Sequence, residues 1–98
     1  MFLGRVIGRV VCTRKVEGLE GVALQIVQRL DEAMHDLGIP FVACDTAQSG
    51  LGDVVFLEDG REACYALPVF FVPVDAVILG HVEEVTVPDR GVTWREAR

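Results

Sequence analysis

Residues 1–15 place strand-forming apolar side chains between regularly spaced glycines and arginines, and this pattern constrains the chain more than any other feature. Val, Ile, Leu and Thr favour extended backbone, so the stretch reads as one long strand starting at Met1, with the expectation that no leader or linker precedes it. Gly4 and Gly8 stand where a bulge, a barrel bend or a close backbone approach is needed. Phe2, Val6, Val10 and Cys12 share even parity, while Arg5, Arg9 and Thr13 share odd parity. Successive strand residues point to opposite faces. The prediction is therefore a half-buried strand with a cationic stripe on its open face.

The rest of the chain repeats this theme in shorter pieces. Val16-Glu17-Gly18 turns into a second strand over 19–30. Asp31 to Gly38 forms a polar connection that Gly38 stops, and a third strand covers 39–45. Gln48-Ser49-Gly50-Leu51-Gly52 is a glycine turn into a fourth strand over 53–57, followed by the turn signal Asp59-Gly60. Arg61 to Leu67 suits about two helical turns ended by Pro68. A fifth strand is predicted over 77–85, and Pro88 to Gly91 turns the chain into Val92-Thr93-Trp94. Five short strands with a small helix before the last predict an all-β, OB-like, partly open barrel. The chain reads as a single domain over 1–98, with 86–98 as a C-terminal extension.

Composition supports an assembly. Apolar residues make up 51% of the 98 residues and mean hydropathy is +0.39, a high value for a water-facing domain of this size. No apolar run approaches the length of a membrane span, so the excess predicts a subunit interface. Open barrel edges invite pairing with other chains, and contacts that close by rotation give rings. A net charge of −6 argues against a nucleic-acid partner, which requires clustered Lys and Arg. The cations gather near the ends, at Arg5, Arg9, Arg14 and Lys15 and at Arg90, Arg95 and Arg98, leaving room for a local basic patch where the termini meet.

Candidate chemistry is sparse. Cys12, Cys44 and Cys64 show neither metal-ligand spacing nor a disulfide framework, and no secretory segment is evident, so a cytoplasmic location is expected. Cys12 and Cys44 read as buried small hydrophobes, and Cys64 as the accessible one. His35 reads as solvated and His81 as a hydrogen-bonded or interface residue, with Glu83 on its face. Asp45, Asp53 and Asp75 read as caps of turns and strand ends, since Asp readily accepts hydrogen bonds from nearby backbone amides. Gly50-Leu51-Gly52 is too short for a dinucleotide fingerprint. No nucleophile has a positioned base. No catalytic, cofactor or metal residue is predicted. Trp94, the only tryptophan, is expected to pack against its own barrel or a neighbouring subunit.

Five blocks of the sequence together resemble the EutN/CcmL family of bacterial microcompartment shell vertex proteins. They are residues 1–15, Leu19 to Gln28, Val42-Ala43-Cys44-Asp45-Thr46, Gly50-Leu51-Gly52-Asp53-Val54-Val55, and Pro73 to Val82. The chain departs from the family pattern at Gln48-Ser49-Gly50, where members usually carry Gly-Ala-Gly. It departs again at Gly60-Arg61-Glu62-Ala63-Cys64, where Gly-Ser-Ser-Ala-Arg is usual.

The resemblance implies a structural, non-enzymatic role in a shell within the cytoplasm. It implies a homopentamer that caps five-fold vertices and contacts hexameric shell proteins, with no cofactor, nucleic acid or membrane as partner. It also implies that the turn of Gln48, Ser49, Gly50, Leu51 and Gly52 lies near the five-fold axis, where Gln48 and Ser49 would make any opening narrow and polar. Gly50 and Gly52 are expected to supply backbone angles or close approaches there. The alternatives are a small OB-type module for nucleic acid or peptide, which requires a basic, aromatic-lined face, and an enzyme dependent on Cys64.

Overall fold

The strand β1 (Phe2–Val10) is the hub of the sheet and pairs with two neighbours. In the computed structural model, which describes residues 1–11, 23–59 and 76–96, β1 pairs antiparallel with β2 (Ala23–Leu30) on one side. On its other side lies β4 (Val54–Asp59). β2 pairs with β3 (Phe41–Asp45), β4 pairs with β5 (Ala76–His81), and β3 meets β5 in parallel. The five strands form a closed barrel in the order β1-β2-β3-β5-β4.

The expected seam is therefore shut. The β3–β5 closure is short, with Cys44 opposite Val77 and Asp45 opposite Ile78, and Thr46 extends it by donating from its amide and its hydroxyl to the Ile78 carbonyl. The predicted helical stretch 61–67, Cys12, Thr13, Cys64 and Asp75 lie outside the described residues.

Val6, Val27, Ala43, Val55, Leu57, Ala76 and Ile78 fill the barrel, with Phe2, Phe41 and Ala47 packed against them. Burying each large aliphatic side chain contributes about 1.5–3 kcal/mol. The interior is too narrow for a side chain at every inward position. A Cβ on Gly4 would run into Val27 Cγ1 and sit 3.0 Å from Leu57 Cδ1, so this glycine is required by close approach.

One residue of β1 breaks the alternation. Val6 pairs with Val27 and Gly8 with Ile26, leaving Ile7 over as a β-bulge. A bulge shifts every later side chain to the opposite face. Arg5 lies opposite Gln28 and Val54 on the outer face, whereas Arg9 lies opposite Gln25 on the inner one. The predicted cationic stripe does not form, because parity counted along the sequence cannot register an inserted residue.

The predicted fifth strand divides. The Val82 amide donates to the Val54 carbonyl, and β4 offers no partner beyond that point. The chain then leaves the barrel as β6 (Glu84–Val87), which pairs with β7 (Val92–Arg95) across a 3-10 turn at Pro88–Arg90. Val85 opposite Trp94 and Val87 opposite Val92 make one apolar hairpin face, and Glu84–Arg95 and Thr86–Thr93 make the polar one.

Candidate functional site: the turn between β3 and β4

Residues 46–53 lie across one end of the barrel, pinned at both ends. Thr46 is bonded to Ile78, the Gly52 amide donates to the Val6 carbonyl at 2.8 Å, and the Val6 amide donates to the Asp53 carbonyl at 2.9 Å. Asp45 organises the inside of the turn. Its carboxylate, only 7% exposed, accepts from the Ala47 amide at 2.9 Å, the Ser49 amide at 2.7 Å, the Ser49 hydroxyl at 2.8 Å and Gln25 Nε2 at 3.2 Å. Gln25 Nε2 also donates to the Ser49 carbonyl at 2.9 Å. A buried carboxylate needs such partners to offset lost hydration.

Asp53 caps the second half of the turn. Its Oδ2 accepts from the Gly50 amide at 2.8 Å. The capping roles read from sequence for Asp45 and Asp53 are the ones they perform. His81, at the end of β5, reaches the same turn. Its Nε2 lies 2.9 Å from the Ala47 carbonyl oxygen, which requires that nitrogen to carry the proton, and Nδ1 lies 3.8 Å from Asp53 Oδ2. The carboxylate that His81 faces is thus supplied by the fold. Glu83, expected on its face, accepts the Glu96 amide with its backbone carbonyl.

Two backbone angles in the turn are left-handed, at Gln48 (φ 56) and Gly52 (φ 85). Gly50 is not among the described glycines with positive φ, and a Cβ there would meet only Asp53 Oδ2, at 3.9 Å. The requirement expected of both glycines holds for Gly52 alone, and Gln48 bears the other strained position. Ser49 turns its hydroxyl inward to Asp45, so Gln48 and Leu51 (69% exposed) are the side chains of this turn that face outward. Gln25 was missed by sequence reading. Its only signal was a polar residue at an inward strand position beside Val27.

The opposite end of the barrel has another character. Phe2 and Phe41 meet edge to face, with centroids 5.8 Å apart, and the Arg29 guanidinium lies 4.6 Å above the Phe2 ring. Leu37, Gly38 and Ile39 complete an apolar cleft. In the adjoining loop Asp31 Oδ1 accepts from the Ala33 and His35 amides, and the His35 amide holds the Asp31 carboxyl below the usual carboxylate range. His35 itself is exposed. Cys44 is buried, as expected. Among the described residues no group of His, Cys, Asp and Glu could hold a metal ion, and no helix is long and apolar enough to cross a membrane.

A family model described as ethanolamine utilisation protein EutN/carboxysome matches residues 1–83. The chain belongs to the EutN/CcmL family. The bacterial microcompartment shell vertex protein GrpN of Rhodospirillum rubrum is 38% identical over 85 residues, spanning 87% of this chain and 96% of the relative. The carboxysome shell vertex protein CcmL of Synechococcus elongatus is 35% identical over 92 residues, spanning 94% and 93%. The solved structure titled GrpN pentameric microcompartment shell protein superposes with a TM-score of 0.80 at 37% identity, covering 89% of this chain and 99% of that one. The EutN/CcmL match ends where the barrel ends, so the β6–β7 hairpin follows the matched region.

Proposed function

We propose that five copies of this chain form a closed ring that caps the five-fold vertices of a bacterial microcompartment shell. The observation that carries this reading is the full-length similarity to shell vertex proteins, one of them titled pentameric, on the same barrel. The role is structural and its mechanism geometric: flat sheets of hexamers close into a polyhedron only where pentamers fill the corners. The rim of the ring would contact hexameric shell proteins, the β6–β7 hairpin would act as an extension of the single domain, and the turn 48–52 would approach the axis. Gln48 and Leu51 would then border any opening, since Ser49 is committed to Asp45. The nucleic-acid alternative requires one basic, aromatic-lined face, and the Ile7 bulge puts Arg5 and Arg9 on opposite faces of β1.

Light scattering after size exclusion should return five times the chain mass of 10.7 kDa. A monomer at micromolar concentration would overturn the ring. Co-assembly with hexameric shell protein should give closed particles only when this chain is included.

A further inference from the structure

We infer that the β6–β7 hairpin is a strap along the outside of β1 and β4, fastened at its tip by a salt-sensitive ion pair between Arg90 and Glu32. A lone two-stranded hairpin is marginal in water, so its apolar face needs a surface to lie on. Val85, Val87, Val92 and Trp94 on that face are all half-buried, whereas the four residues of the polar face are exposed. The strap is rooted where the Val82 amide donates to the Val54 carbonyl. Beside that root Trp94 and Arg95 share a cleft of about 370 Å³ with Arg5, Leu51 and Val54. Val54 faces outward with Arg5, yet it is only 3% exposed.

The tip is held by charge. Arg90 Nη1 stands 3.0 Å from Glu32 Oε1, in the connection between β2 and β3 at the opposite end of the barrel. Arg90 acts on the neighbouring carboxyl too: Asp31, lowered chiefly by the His35 amide, is lowered further by the Arg90 charge. Pro88 at the start of the tip and Gly91 in a left-handed conformation at its end, with the Gly91 amide donating to the Pro88 carbonyl, fix the turn that presents Arg90. Less freedom is then lost when the pair forms. Among the described residues, no other hydrogen bond or ion pair ties residues 84–95 to another element.

Root and tip therefore respond differently to the solvent. The root is a backbone hydrogen bond beside a buried valine. The tip is a pair of side chains 66% and 51% exposed, whose attraction dissolved salt screens. Raising the salt loosens the tip first, and a strap that lifts from its tip toward its root opens the cleft under Trp94.

The test follows hydrogen exchange of the β6 and β7 amides in the full chain. Between about 0.1 M and about 1 M sodium chloride the screening length falls from about 10 Å to about 3 Å. Across that range hairpin exchange should accelerate about threefold relative to the β2 and β3 amides. In Arg90→Gln it should be fast at both salt levels. At low salt Arg90→Glu and Glu32→Arg should each accelerate it by a similar factor, and the two together should restore the parent's rate. Hairpin exchange in the parent that ignores salt, or a double reversal as fast as the single ones, would overturn the latch. The salt comparison needs no substitution, so it decides even where a variant fails to fold.

Discussion

The two ends of the barrel are held by different physics. At the turn end a single carboxylate, Asp45, collects four donors from Gln25, Ala47 and Ser49. At the other end Phe2, Phe41 and Arg29 meet through ring edges and a cation over a ring face. Hydrogen bonds to a buried charge are directional and have no substitute once water is excluded, so substitutions at the turn end are expected to be costly. Aromatic and aliphatic contacts are less directional, and a neighbouring side chain can fill part of any space left.

The largest expected effect is therefore at Asp45. Asp45→Ala strands the Ser49 hydroxyl and two backbone amides and leaves Gln25 Nε2 with the Ser49 carbonyl alone, and should lower stability by about 3 kcal/mol, read from chemical denaturation. Phe41→Leu at the opposite end keeps most of the apolar volume and should lower it by about 1 kcal/mol, chiefly through the lost edge-to-face contact. If the two substitutions prove equally damaging, the contrast between the ends is wrong.

A finer separation lies within the turn itself. Gly52→Ala forces a Cβ into a left-handed residue and should lower stability by about 1 kcal/mol, whereas Gly50→Ala should be close to neutral because the space around it is open. Gln48→Gly relieves the second left-handed position and should leave the protein as stable or slightly more so.

The smallest effect is expected at the aromatic end, with pH. Because the His35 amide lowers the Asp31 carboxyl in the folded chain, its contribution is present above the unfolded carboxylate pKa of about 3.9 and lost as pH falls through the lower folded value. Hydrogen exchange of the Ala33 and His35 amides should accelerate relative to their intrinsic rates below about pH 4. Unchanged protection there would show that Asp31 does not hold this loop.

Much of this architecture was legible in local chemistry. Gly38 ends the polar connection with a left-handed φ of 75, and Asp45 and Asp53 cap the turns they border. Val92-Thr93-Trp94 lies within a strand, and Trp94 is half-buried where it meets Val85. The third strand begins at Phe41 rather than Ile39, since Pro40 has no amide to donate and constrains the residue before it. The predicted fifth strand was too long because apolar alternation continues through Val82 to Val85, while the end of β4 stops the pairing.

The sequence by itself determined that the chain is a set of short strands, where its polar turns fall, and which family it belongs to, because propensity, turn chemistry and motif order are local properties. Tertiary structure alone decided that Arg9 faces Gln25, that His81 reaches Ala47 and Asp53, that Gln25 supports Asp45, and that Gly52 rather than Gly50 is conformationally required. Each of these depends on the register between strands distant in sequence. A one-residue bulge reverses the side of everything after it, and no count along one strand can reveal where its pairing leaves a residue over.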